Sequence, residues 1–186
     1  MTSNPKKDAL RKHLLEKRDS MSFEIMGFHA QRILSKLKKM KSFSQAESVG
    51  CYYSIGSEVQ TNEIIKLLLD GKKIVSLPQV CDDTMIFRKI EDISKLEKGN
   101  FDIPEPKESC PIQETHDVIL VPCIGLDNNG NRIGYGYGFY DKYLTKNEST
   151  KIALTYSKQI VKSVPNSEHD VKMDLIVTET DVIETS

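Results

Sequence analysis

The chain has 186 residues, 38% apolar and 28% charged, the proportions of one soluble globular domain with room for a sizeable core. A formal net charge of −1 argues against a protein built to coat nucleic acid, and no window approaches the run of about 18 apolar residues needed to cross a bilayer. The opening stretch MTSNPKKDALRKHLLEKRD has no apolar signal core and carries acids, so the expected compartment is the cytoplasm.

Residues 5–19 read as a helix, with Pro5 suited to the first turn and Leu10 and Leu14 four apart. Lys7, Arg11 and Arg18 share one stripe of it, and a stripe of cations reads as a solvated basic face. The first 41 residues hold eleven Lys and Arg against four Asp and Glu, so an anion is expected near them. Ser22 suits the cap of a second helix, with Met26, Ala30, Ile33, Leu34 and Leu37 in one apolar stripe.

The period then changes. SVGCYYS (48–54) and KIVSLP (73–78) read as strands, separated by a capped helix over 61–71 that glycine closes. MIFRKI (85–90) alternates like a half-buried strand, and HDVILVP (116–122) carries a continuous apolar run, as in a strand covered on both faces. YGFYDKYLTK turns into a helix, and KIALTY (151–156) and DLIVTE (174–179) are strands again. No repeat, low-complexity tract or linker divides the chain, so one domain over 1–186 is expected. Two helices followed by alternating strands and helices predict an α/β domain with a largely parallel sheet. Ligands then bind beyond the carboxyl ends of its strands.

Cys51, Cys81, Cys110 and Cys123 form no CxxC pair, and the four histidines are equally scattered, so no zinc site is expected. The informative segment is NNGNRIGYGYGFYDKYL (128–144), which holds four of the ten glycines. It fails the dinucleotide fingerprint, because Phe139 stands at the third glycine position. No P-loop occurs, and the calcium-like DNNGN has its glycine misplaced, with Gly138 where the bidentate Glu should be. Alternating glycines can instead form a concave anion nest, with a helix dipole behind it, Arg132 beside it and Asp141 placed for the Mg²⁺ of a nucleotide. The other reading is a tight turn whose glycines only allow close packing.

GNRIGYGYGFYDKYL resembles the signature G-N-R-L-G-x-G-x-G-Y-Y-D-x-Y-L of the 5-formyltetrahydrofolate cyclo-ligase family. KKDALRKHLLEKRDSMS, YYSIGSEVQTNEIIKLLLDGKKIVSLPQV, IPEP (103–106), VILVPCIGLDNNGNR and VPNSEHDVKMDLIVTE resemble its other blocks, in order, over nearly the whole chain. The resemblance implies a three-layer α/β/α sandwich with two N-terminal helices. It also implies an ATP- and Mg²⁺-dependent ligase that converts 5-formyltetrahydrofolate to 5,10-methenyltetrahydrofolate. Its partner is then a small reduced folate, with no nucleic acid or membrane, and the enzyme is expected as a monomer, a homodimer being the alternative.

Residue by residue, the resemblance makes Lys7 and Arg11 ATP contacts and leaves Arg18 on the solvated face. Arg132, Ile133, Gly134, Tyr135, Gly136, Tyr137, Gly138, Phe139 and Tyr140 correspond to the nucleotide loop. Lys7 and Arg132 serve catalysis, and the folate contacts overlap Tyr135 to Phe139. Asp141 and Asp170 correspond to Mg²⁺ ligands, Glu58 to a folate-binding glutamate and Tyr53 to a pocket wall. Phe139 departs from the family's Tyr, so any hydrogen bond from that hydroxyl is missing. That departure keeps open a paralogue acting on another formylated pterin or amide. A non-catalytic folate or nucleotide sensor, or an RNA-binding use of the basic start, belongs to other classes; a sensor need not keep metal ligands, and steep salt dependence would mark RNA binding.

Overall fold

The computed structural model describes residues 4–99 and 102–185. Its helices are α1 (Pro5–Asp19), α2 (Phe23–Leu37), α3 (Lys41–Ser44), α4 (Asn62–Asp70) and α5 (Phe139–Leu144). Asn4 caps α1 by accepting from the Lys6 and Lys7 amides, and Pro5 starts the helix without a donor to satisfy. Ser22 caps α2 through the Ile25 amide at 3.3 Å, and Met26, Ala30, Ile33 and Leu37 are buried along its inner stripe. Leu34, on the edge of that stripe, is only partly buried.

The ends of α4 are built differently from expectation. Thr61 makes no side-chain cap; its hydroxyl donates to the Tyr52 carbonyl at 2.6 Å and accepts from the Ser54 amide at 3.1 Å. Thr61 thereby closes the loop 54–61 rather than the helix. At the other end Gly71 keeps φ −75°, and Lys72, at φ 56°, makes the left-handed reversal.

The strands are β1 (Ser48–Gly50), β2 (Ile74–Cys81), β3 (Thr84–Ile90), β4 (Leu96–Lys98), β5 (Pro104–Pro106), β6 (Val118–Pro122), β7 (Gly125–Asp127), β8 (Arg132–Ile133), β9 (Thr150–Leu154), β10 (Ile160–Val161), β11 (Leu175–Val177) and β12 (Val182–Glu184). Seven form the main sheet in the order β12-β11-β9-β6-β1-β2-β3. The inner five are parallel, and β3 and β12 close the edges antiparallel. A small sheet orders β10-β7-β8, and β4 pairs with β5.

The inner strands β6, β9 and β11 split their side chains between two cores, as a period of two requires. On β6, Val118 and Leu120 join the core under α2 and α4, while Ile119 and Val121 join the core under α5 with Leu144. The sheet is therefore covered on both faces, which is the expected three-layer α/β arrangement. Cys51, Cys110 and Cys123 are buried and unpaired, acting as small hydrophobes. No helix among the described residues is long and apolar enough to cross a membrane.

Two features place the cleft. From β1 the chain crosses to β2 on one side and later returns to β6 on the other. The strand order thus reverses between β1 and β6, opening a crevice at their carboxyl ends. Helix α1 lies by that crevice, held by a third core of Leu14, Ile124, Ile133 and Val164. Leu14 fills the space that a side chain on Gly125 would need, so helix and β7 meet at contact distance.

Leu14 is fully buried, and truncating it leaves a hole that α1 cannot easily collapse into. Leu14→Ala is expected to cost about 2–4 kcal/mol, read as a lowered midpoint of urea denaturation. A change within about 0.5 kcal/mol would mean that α1 is not anchored by this contact.

Candidate active site

The crevice is lined by three chain segments: the loop after β1, the segment after β6 that forms the β7–β8 hairpin and glycine turn, and helix α1. The hairpin is stiffened by Asp127, which is buried. Its carboxylate accepts from the amides of Asn129 at 3.0 Å and Asn131 at 3.1 Å, and from the Val164 amide at 2.9 Å. Burial raises the Asp127 pKa, but these donors and the Asn131 side chain hold it below the usual carboxylate range. The DNNGN sequence is thus a turn closed on its own N–H groups.

Beyond the hairpin, Arg132 is buried and faces Asp141, Nη2 to Oδ2 at 3.0 Å, while Nη1 donates to the Pro122 carbonyl at 3.3 Å. Its guanidinium lies 5.6 Å from the Tyr140 ring. Arg132 Nε is buried with no acceptor among the described residues. In the glycine turn, Gly136 has φ 100° and Gly138 φ 73°, conformations that a side chain would strain. Helix α5 starts at once, but with six residues its dipole adds little at the glycine turn.

Lys7 reaches across to Asp170, Nζ to Oδ2 at 2.5 Å. Asp170 also accepts from the Ser167 amide at 2.6 Å. Burial raises its pKa; Lys7 and Ser167 outweigh that and keep it low. Asp141 Oδ1 accepts from the Val171 amide at 3.2 Å, which brings the two aspartate segments together. Arg11 Nε donates to the Gly134 carbonyl at 2.8 Å and Nη1 meets Asp8 at 2.5 Å, so Arg11 braces the glycine turn. Lys7, Arg11, Arg132, Gly134, Gly136, Gly138, Asp141 and Asp170 therefore surround one turn.

Other expected residues stand differently. Ile133 packs its side chain into the core around Leu14, leaving only its backbone toward the turn. The Tyr140 hydroxyl is buried without a partner among the described residues, and its ring packs under α5. Phe139 packs on that same core and stacks on the exposed Tyr137, ring centroids 5.9 Å apart. Tyr53 is half-buried against the α2–α4 core. His169, beside Asp170, is exposed, and among the described residues no three His, Cys, Asp or Glu gather as a metal cage.

The other half of the cleft centres on Glu58, buried at 5% exposure. Tyr135, at 40% exposure, donates its hydroxyl to Glu58 Oε1 at 3.0 Å, which brings the glycine turn to this carboxylate. Burial pushes the Glu58 carboxyl above its usual range; the Ile55 amide, Arg18 and Tyr135 pull it partly back.

Arg18 corrects the sequence reading. It is 3% exposed, not on a solvated face. Nε donates to Ser57 Oγ at 2.8 Å, Nη1 to the Cys123 carbonyl at 3.2 Å and Nη2 to the Tyr135 hydroxyl at 2.8 Å. The missed signal was Leu14: residues 7, 11, 14 and 18 form one helical stripe, and an apolar residue among cations marks it as facing inward. Tyr135 was expected at the site, but its bond to Glu58, 77 residues away, has no local signature.

Residues 3–179 match the model of the 5-formyltetrahydrofolate cyclo-ligase family. The mouse 5-formyltetrahydrofolate cyclo-ligase is 28% identical over 195 residues, covering 96% of each chain. A solved structure of Aquifex aeolicus 5,10-methenyltetrahydrofolate synthetase superposes with a TM-score of 0.86 at 30% identity, covering 96% of this chain and 92% of that one. The Mycoplasma pneumoniae synthetase structure gives a TM-score of 0.76 at 26% identity, covering 93% and 98%.

The raised Glu58 pKa makes a prediction whose sign is fixed. Across the interval from the ordinary Glu range up to the raised value, the folded protein holds a proton that the unfolded chain releases. The group's stabilising contribution is full below that interval and is lost as pH rises through it. Urea midpoints of the protein and of Glu58→Gln, taken at pH 4 and pH 7, should shift in the variant's favour at the higher pH. A difference that does not change with pH would show that Glu58 titrates normally.

Proposed function

We propose that this chain, which belongs to the 5-formyltetrahydrofolate cyclo-ligase family, carries out the ATP- and Mg²⁺-dependent conversion of 5-formyltetrahydrofolate to 5,10-methenyltetrahydrofolate, with release of ADP and phosphate. The observation that carries the reading is the pairing of two unlike half-sites in one crevice. One is a glycine turn ringed by Lys7, Arg11, Arg132, Asp141 and Asp170; the other is the buried carboxylate of Glu58. The reading includes a cytoplasmic monomer and a single domain over 1–186, of which residues 1–3, 100, 101 and 186 lie outside those described.

The chemistry asks for alignment and charge neutralisation more than for a protein nucleophile. A formyl oxygen on the pterin nitrogen belongs to an amide and leaves poorly. Once it carries the γ-phosphoryl group of ATP, it departs as phosphate when the neighbouring folate nitrogen closes the five-membered ring. Lys7 and Arg132 are the cations for the transferred charge; Arg11 holds the turn through the Gly134 carbonyl and adds a third. The orphaned Arg132 Nε fits an incoming anion. Asp141 and Asp170 are two carboxylates without a third among the described residues, which suits Mg²⁺, an ion that takes few protein ligands and completes its shell with phosphates and water. When bound, Mg²⁺ neutralises charge on the phosphates.

On the folate side, Glu58 accepts from the pterin's N–H groups, and Tyr53 and the Tyr137–Phe139 stack supply flat surface for the ring. Phe139 offers no hydroxyl, so recognition at that position rests on packing alone.

The test is direct: purified protein, 5-formyltetrahydrofolate, ATP and Mg²⁺, followed by absorbance of the methenyl product. Product is expected only in the complete mixture. Lys7→Ala should raise the KM for ATP about tenfold or more, whereas Glu58→Ala should raise the KM for folate and leave that for ATP unchanged. No product with ATP still bound would move the reading to another formylated pterin or to a sensor.

A further inference from the structure

The two oxygens of Glu58 meet unlike donors. Oε2 accepts from the Ile55 amide at 2.9 Å, a main-chain partner that cannot leave without moving the loop. Oε1 accepts from the Tyr135 hydroxyl at 3.0 Å. That same hydroxyl oxygen accepts from Arg18 Nη2 at 2.8 Å. One phenol thus stands between a guanidinium and a carboxylate, accepting from the first and donating to the second.

A pterin carries this pattern along one edge. Its 4-oxo group is an acceptor and the adjacent ring N3–H is a donor, held side by side by the lactam. Laid between Arg18 and Glu58, that edge satisfies both groups in the order in which the Tyr135 hydroxyl satisfies them now. The buried pair could not face an apolar ligand without leaving a charge unpaired, which would be costly.

Of the three residues, Tyr135 is the one the fold encloses least. It is 40% exposed and adjoins Gly136, whose φ of 100° belongs to glycine. Arg18 is held independently of it by Ser57 and by the Cys123 carbonyl, and Glu58 by Ile55, so both stay in place when the hydroxyl leaves. We propose that Arg18 and Glu58 form a two-point reader for the lactam edge of the substrate's pterin, and that the Tyr135 hydroxyl keeps that place in the free protein. The proposal rests on the reduced-folate reading above and adds to it a specificity residue on α1 and an internal stand-in for the substrate.

Equilibrium titration without ATP tests both parts. The ligands are 5-formyltetrahydrofolate and its 4-amino analogue, which reverses the pattern by presenting a donor to Arg18 and an acceptor to Glu58. The protein should prefer the 4-oxo compound by about tenfold or more, and Arg18→Met should reduce that preference to about threefold or less. Tyr135→Phe, which removes one oxygen from a partly exposed residue, should tighten 5-formyltetrahydrofolate by about tenfold, and the gain should vanish in the Glu58→Gln background. Retention of the full preference by Arg18→Met overturns the reader. Unchanged or weaker binding by Tyr135→Phe overturns the stand-in, and this variant decides the matter alone if Arg18→Met does not fold. Binding of neither compound, together with no product in the assay, removes the reduced-folate reading itself.

Discussion

A guanidinium shut away from water must find hydrogen-bond acceptors in the protein, and the structure is organised around the way Arg18 does so. Its acceptors come from Ser57, Cys123 and Tyr135, that is, from the loop after β1, the segment after β6 and the glycine turn. Those segments are distant in sequence and together form the walls of the crevice. An unpaired charge at this depth would cost several kcal/mol, so helix α1 cannot shift without disturbing all three. Leu14, one turn earlier, adds the apolar part of the same anchorage.

The position of the crevice follows from the sheet. Parallel strands send their chain ends out at one edge, and the reversal of order between β1 and β6 keeps the two following loops from covering each other. Glu58 comes from the first loop and Arg132 from the second. The carboxylates of Asp141 and Asp170 arrive later in the chain, tied together through the Val171 amide. Strand packing thus sets the site's position, while a few buried polar contacts set its internal geometry.

Most of the fold was legible because its signals are local. The stripes of α1 and α2, the Ser22 cap and the apolar run of β6 all rest on residues within a few positions of each other. The short strands β4, β5, β7, β8, β10 and β12 were not legible, since two or three residues carry no period and exist as strands only because a partner lies alongside. The glycine turn and its neighbours could be read from composition and resemblance. The burial of Arg18 could not be read from charge, and only Leu14 in its stripe hinted at it. The inward turn of Ile133 and Tyr140 is likewise a tertiary outcome: both sit in the motif, yet their side chains serve the cores beneath it.

The ion pairs of the cleft have a kinetic consequence. Lys7 holds Asp170, Arg11 holds Asp8 and Arg132 holds Asp141, so three cations are matched by three carboxylates. Seen from a Debye length away, such a set is nearly neutral and exerts little pull on a distant anion. A polyanion entering the cleft would exchange partners at short range instead of being drawn in from solution. Its association rate would then vary weakly with ionic strength, although nearly every contact it finally made was ionic.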